Sequence, residues 1–203
     1  MDWTLFVSAV VAYLLGAIPF GYLFVRYAMG KDIRTMGSGN IGATNVHRTA
    51  GRGAGVVVLV LDIAKGYLAL WIAGRLTHDA PMGLALSALA VMAGHAYPVF
   101  LGFKGGKAVA SFIGAFLYIA PVALAIVLAV FVVVVAVSKH ISLGSITAAL
   151  LFPLVVWWSM HPATPVLMAA LIGGLFITYR HKDNISRLLS GTESVFSLRG
   201  GSR

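Results

Sequence analysis

Apolar residues run in long blocks along this chain, and short polar stretches rich in glycine and cations separate the blocks. A helix needs about 20 apolar residues to cross about 30 Å of hydrocarbon. The first block, about residues 3–25, meets that length, and Gly16, Pro19 and Gly21 near its end predict a bend or a thinned packing surface. A polar stretch over 26–52 follows. The pattern then predicts spans over about 54–74 and 82–100, joined by residues 75–80. Past a second glycine-rich loop at 102–107, residues 108–137 are apolar throughout. One straight helix of that length would measure about 45 Å, too long for one crossing. Pro121 offers a break. The reading is therefore a short fourth span over 108–119, a half-helix starting at Lys107, and a fifth over 121–137. Spans six and seven cover about 143–159 and 165–179, and a basic tail ends the chain. This predicts an all-α polytopic membrane protein with seven transmembrane helices, one of them short, in a single domain over 1–203.

Composition agrees. Hydrophobic residues make up 60% of the chain and charged residues 10%, where a soluble domain carries roughly 25% charged. The net charge of +9 could suggest nucleic acid, but its distribution points elsewhere. With the N-terminus outside, thirteen of the fifteen Lys and Arg residues fall in inner segments: 26–52, 102–107, 138–142 and the tail from Arg180. Only Arg75 lies outside, and Lys65 lies within span two. That is the bias of cytoplasmic loops, so no nucleic-acid partner is expected. Asp2 and the lack of any cation before Arg26 argue against a signal peptide, so the first block reads as a retained span. There is no cysteine, which excludes thiolate chemistry and disulfides.

The inner loops carry the chemistry. The first reads Gly37-Ser38-Gly39-Asn40-Ile41-Gly42-Ala43-Thr44-Asn45-Val46-His47-Arg48, and the second Gly102-Phe103-Lys104-Gly105-Gly106-Lys107. Glycine exposes backbone N–H groups and the cations add full charge, a combination suited to phosphate. Gly37-x-Gly39-x-x-Gly42 fits the dinucleotide-binding pattern, but no strand precedes it. Lys107 follows Gly106 as in a P-loop, yet Leu101 and Ala108 occupy positions where that motif needs Gly and Ser or Thr. Asp62 and Lys65 share a face of span two and read first as a structural ion pair. His95 and His140, at inner helix ends, read first as packing or hydrogen-bonding groups. His181 is ringed by Arg180, Lys182, Asn184 and Arg187, and on a helical continuation His181 and Asn184 would face one way. Ser138, Ser142 and Ser145 form a third polar patch, equally readable as capping of span six. No Gly-x-Ser-x-Gly elbow occurs, no His precedes an Asp by five positions, and six scattered acidic residues make a carboxylate metal site unexpected.

Three motifs in order resemble a known family. Ser38-Gly39-Asn40-Ile41-Gly42-Ala43-Thr44-Asn45 with Arg48 comes first. Gly94-His95, Pro98-Val99-Phe100-Leu101 and Phe103-Lys104-Gly105-Gly106-Lys107 follow. The third is His181-x-x-Asn184-Ile185-x-Arg187-Leu188-Leu189-x-Gly191-Thr192-Glu193. With Leu61-Asp62-x-x-Lys65-Gly66 they resemble the acyl-phosphate:glycerol-3-phosphate acyltransferases called PlsY, over nearly the whole chain. Ala108 and Ser111 stand where that family usually has Gly and Thr.

The resemblance implies a bacterial inner-membrane enzyme with its site facing the cytoplasm, moving an acyl group from acyl phosphate to the first hydroxyl of glycerol 3-phosphate. It implies that Ser38, Arg48, Lys107, His181 and Asn184 hold glycerol 3-phosphate and the transferring group. Amides around Gly39, Asn40, Gly105 and Gly106 would cradle the donor phosphate. Thr44, Asn45, His95, Lys104, Ser142 and Ser145 complete the expected binding set. The base is His181 or a substrate phosphate oxygen. No cofactor or metal is expected, and the expected partners are the two substrates and membrane lipid, with the protein a monomer. A transporter of phosphorylated solutes would need similar loops but would usually show an internal repeat, and none is visible. A purely structural membrane protein would not need three such polar loops.

Overall fold

A computed structural model describes residues 3–196; Asp2 and the tail cations Arg199 and Arg203 lie outside the described residues. The first apolar block forms α1 (Trp3–Ala17) and α2 (Phe20–Met29), broken at Ile18-Pro19. Pro19 cannot donate to the helix ladder, and the carbonyl of Ile18 instead accepts from Lys65 Nζ at 2.8 Å. Lys65 belongs to α4 (Arg52–Thr77), where its ammonium also lies 2.8 Å from Asp62 Oδ1, both side chains 3% exposed. The structural reading of this pair is thus the one the geometry gives: a buried ion pair whose cation satisfies the broken helix. Charges inside a membrane protein are kept in this way, paired and turned inward.

Between α2 and α4 lie a short 3-10 turn at Ile33–Thr35 and α3 (Ala43–Ala50). Then come α5 (Pro81–Ala96), α6 (Val109–Ile119), α7 (Pro121–Ser138), α8 (Ile141–Met160), α9 (Thr164–Arg180) and α10 (Lys182–Leu189). Among the described residues, five helical segments are long and apolar enough to cross a membrane, with α1 and α2 counted as one, and α6 and α9 are shorter apolar helices. Helices therefore form at all seven expected positions, within a few residues of the expected limits, five of them of spanning length and two shorter. The apolar run after residue 108 does break before Pro121. At 11 residues, α6 is about 17 Å long, too short for a full crossing.

Small residues let these helices approach closely. α1 and α5 cross where Gly16 lies under the carbonyl of Val91 and Gly94 under that of Tyr13. α4 and α6 meet through Gly66 and Gly114, and Gly174 of α9 lies against the carbonyl of Ala149 in α8. A Cβ at any of these would strike backbone. The aromatic centre of the core is Phe112, Phe116 and Phe152, with centroids 4.6–4.9 Å apart.

α6 starts one residue later than the expected span, at Val109, because Ala108 before it turns left-handed at φ 63°. A Cβ in that region costs roughly 1–2 kcal/mol, which explains why glycine suits the position. We expect Ala108→Gly to stabilise the fold by about 1 kcal/mol, a rise in Tm of about 2–4 °C. Thermal unfolding in detergent checks this, and a lower Tm would contradict it.

The polar segments gather at one end of the bundle. Phe196 N–H donates to the carbonyl of Lys139 between α7 and α8 at 2.8 Å. The Phe196 ring lies 5.6 Å from that of His47 in α3, and Arg180 reaches the loop between α5 and α6.

Candidate active site

At that end a cavity of about 170 Å³ opens between the first glycine loop, the second, and the start of α10. Ser38 and Asn40 line one side, Lys107 another, and Tyr179, Arg180, Lys182, Asp183, Asn184 and Arg187 the third. Four of the expected site residues, Ser38, Asn40, Lys107 and Asn184, thus share one cavity although up to 146 positions separate them.

The first loop takes its shape from Asn45. This buried side chain accepts from Ser38 N–H at 3.0 Å and donates to the carbonyls of Met36 and Asn40 at 3.0 and 2.8 Å. All of its hydrogen-bonding capacity except one lone pair is engaged, so Asn45 shapes the loop that presents Ser38. Gly39 N–H donates to the carbonyl of Met36 at 2.9 Å. Arg48 sits half-buried on α3, with Thr44 one turn earlier. Arg48 does not line the cavity, but it is close enough for its charge to oppose protonation of Lys107.

The second loop folds back on the end of α5. Gly105 N–H donates to the carbonyl of Ala96 at 3.1 Å, and Gly106 N–H to that of His95 at 3.0 Å. The expected amide cradle at Gly39, Gly105 and Gly106 is therefore corrected: those donors are consumed within the protein. The two glycines of the second loop are required by space instead. A Cβ on Gly105 would meet the His95 carbonyl and Pro98, and one on Gly106 the His95 ring. His95 itself is buried behind the loop, its Nδ1 3.1 Å from Ser111 Oγ and 3.7 Å from Asp62 Oδ1. It supports Gly106 from the membrane side and does not line the cavity. Lys104 is exposed and also lies off the lining.

Lys107 and Asn184 are joined directly, Nζ donating to Oδ1. Glu193 holds the other end of that amide: Oε1 accepts from Asn184 Nδ2 at 2.6 Å and Ser142 Oγ at 2.8 Å, and Oε2 from Arg187 Nε at 2.7 Å. Burial raises the carboxyl's pKa, but these hydrogen bonds outweigh it and hold it below the usual range. Ser142 therefore acts through Glu193. Ser145 spends its hydroxyl on the Ile141 carbonyl within α8, a helix back-bond. Burial lowers Lys107 to about 8.

α9 ends at Arg180 and a turn at His181 starts α10, so His181 and Asn184 do not lie on one continuous helix. Both side chains are buried, but Asn184 lines the cavity and His181 does not. Burial, with Lys107 nearby, lowers His181 to about 4, so the ring is neutral at pH 7. Its Nδ1 lies 2.8 Å from the Ile177 carbonyl, an acceptor only, so Nδ1 carries the proton and Nε2 the lone pair.

Two residues that organise the site were missed by sequence reasoning: Glu193 and Arg180. The basic cluster around His181 and the Gly191-Thr192-Glu193 run were visible, but nothing local says which cation turns onto another loop.

The sequence model of a family described as glycerol-3-phosphate acyltransferase matches residues 6–191. The chain belongs to the glycerol-3-phosphate acyltransferase family. A member of this acyltransferase family from Trichlorobacter lovleyi is 48% identical over 91% of this chain and 94% of its own. One from Fusobacterium nucleatum is 42% identical over 95% and 98%. The crystal structure of PlsY (YgiH), an integral membrane glycerol 3-phosphate acyltransferase, in its glycerol 3-phosphate form superposes with a TM-score of 0.89 at 38% identity. The match covers 95% of this chain and 96% of that one. The lysophosphatidic acid form gives 0.86 at 36% identity. Membership of this family also makes the chain an integral membrane enzyme.

Proposed function

We propose that this protein transfers a fatty acyl group from acyl phosphate to the sn-1 hydroxyl of glycerol 3-phosphate, releasing lysophosphatidic acid and inorganic phosphate. The observation that carries the reading is the cavity in which Lys107, latched to Asn184, faces Ser38 and Asn40 from separate loops. The solved relatives, one with glycerol 3-phosphate and one with lysophosphatidic acid, support an acceptor and product of this kind.

Acyl phosphate is a mixed anhydride with a good leaving group, so no covalent enzyme intermediate is needed. The hydroxyl oxygen attacks the acyl carbon, the bond from that carbon to the phosphate oxygen breaks, and phosphate leaves. Lys107 and Arg48 stabilise the charge that moves onto the leaving group. The hydroxyl proton goes to a phosphate oxygen, whose second pKa near 6 matches neutral pH better than a ring at about 4. His181, buried and off the cavity lining, is not the base in this reading.

The loops that build the cavity are those that concentrate the basic residues, so the site faces the cytoplasm of the inner membrane, with the N-terminus outside. Purified protein in detergent, supplied with acyl phosphate and glycerol 3-phosphate, should release phosphate and form lysophosphatidic acid. A chelator should leave that rate within about twofold, a small change on the barrier scale. Turnover with acyl-CoA and none with acyl phosphate would overturn the reading.

The reading also fixes a pH dependence. Protonated Lys107 is the form that attracts phosphate, and its pKa of about 8 means the charge is lost as pH rises through that value. We expect kcat/KM, which reports the free enzyme, to fall above pH 8. Lys107→Arg, which does not titrate, should move this alkaline limb upward even if its rate is lower. An unmoved limb would mean that another group titrates.

A further inference from the structure

We infer that Arg180 is a positioning residue that turns the second glycine loop from an anion-repelling wall into an anion-binding one. The inference rests on the acyltransferase reading but concerns a residue that reading does not need. A trans peptide is planar, with its C=O and N–H pointing in opposite directions. The N–H of the Gly105–Gly106 peptide points back to the His95 carbonyl. Its C=O must therefore point away from α5, on the side where Arg180 lines the cavity. Left bare there, this oxygen would present partial negative charge where a phosphate has to sit.

Arg180 covers it. Its Nη2 donates to the Gly105 carbonyl at 3.3 Å and to the Gly106 carbonyl at 2.9 Å, and its Nε to Gly106 at 3.1 Å. A single planar fork thus spans two successive carbonyls, an arrangement a lysine cannot reproduce. The guanidinium carbon lies 4.9 Å from the Tyr97 ring centroid, a cation–π contact that fixes the fork in place. Tyr97 is itself held by its carbonyl, which accepts from Tyr13 Oη at 2.8 Å. Lys107 follows this doubly clamped segment directly, so the clamp also sets where its ammonium starts. Arg180 holds the loop from the cavity side and His95 holds it from the membrane side.

The test uses the full chain in detergent, with Arg180→Ala, Arg180→Lys, Tyr97→Leu and the Arg180→Ala/Tyr97→Leu double variant. Three quantities are read: KM for glycerol 3-phosphate, the affinity for inorganic phosphate by calorimetry, and Tm. Charge-assisted hydrogen bonds of this kind correspond to a change of about 10- to 150-fold. Arg180→Ala should raise both KM and the phosphate Kd by at least about 10-fold, with Tm within a few degrees. Arg180→Lys should recover only part of this, and Tyr97→Leu should show a smaller loss of the same kind. The double variant should be no worse than Arg180→Ala alone, because Tyr97 acts through the arginine. Millimolar methylguanidinium should restore phosphate affinity to Arg180→Ala. Unchanged KM and phosphate affinity in Arg180→Ala, full recovery with Lys, or additive Arg180 and Tyr97 effects would each overturn the inference. Inability of the unaltered protein to turn over acyl phosphate would sink the acyltransferase reading, while phosphate affinity would still judge Arg180.

Discussion

Lys107→Ala should lower kcat/KM for glycerol 3-phosphate by about 10²- to 10³-fold, the range seen when one charge-stabilising donor is removed from an active site. The expectation follows from its position. Lys107 lines the cavity and is held by Asn184, so its ammonium is placed before substrate arrives and little reorganisation is needed. Burial depresses its pKa to about 8, which shows how little water stabilises the charge, and an incoming phosphate would supply what water does not. Glu193 and Asp183 favour that protonation while Arg187 and Arg48 oppose it, and an incoming phosphate would offset the repulsion that remains between the cations. Arg48→Ala should therefore cost less, about 10-fold, since Arg48 does not line the cavity. Steady-state kinetics with both substrates varied will show whether the Lys107 loss falls on KM or kcat. Lys107→Ala with a rate within threefold of the unaltered protein would remove the main support for the site.

The second large effect is expected at Glu193, which does not itself line the cavity but bonds to two residues that do, Asn184 and Arg187. Glu193→Ala strands the hydroxyl of Ser142 and the amide of Asn184, both buried. Arg187 is 41% exposed and can turn to water. Stranded buried donors cost about 1–3 kcal/mol each, giving a loss of about 2–6 kcal/mol and a Tm lower by roughly 4–24 °C. Activity should fall at least tenfold at temperatures where the protein stays folded, because Asn184 no longer aims its oxygen at Lys107. The same carboxylate makes the fold acid-sensitive. Its folded pKa lies below the unfolded value of about 4.3, so its contribution is present above that value and is lost as pH falls through the depressed one. An unchanged Tm and rate in Glu193→Ala would mean that the tail only rests on the site.

The amide cradle expected from the glycine motifs shows where sequence reading stops. Glycine at 105 and 106 signals a backbone that must do something special, but two causes give the same signal: exposed N–H groups, or a neighbour too close for a Cβ. The structure selects the second, since both amides bond to α5 and the His95 ring fills the space beside Gly106. Likewise Asn45, expected at the substrate, spends its amide on Met36, Ser38 and Asn40. Motif residues that cluster in sequence divide into those that touch the cavity and those that shape the loop carrying them.

The sequence by itself determined the span pattern, the break at Pro121, the crowding of cations into a few segments and the family. These are local or additive properties: hydropathy over about 20 residues, the missing proline N–H, and charge summed by segment. The tertiary structure alone decided that Lys65 caps the Ile18 carbonyl across 47 positions. It alone decided that Lys107 meets Asn184 across 77, and that Arg180 rather than Lys104 turns onto the glycine carbonyls. Such contacts depend on helix rotation and on where each loop returns, and a long cation reads the same in sequence whether its head faces water, lipid headgroups or a buried carbonyl.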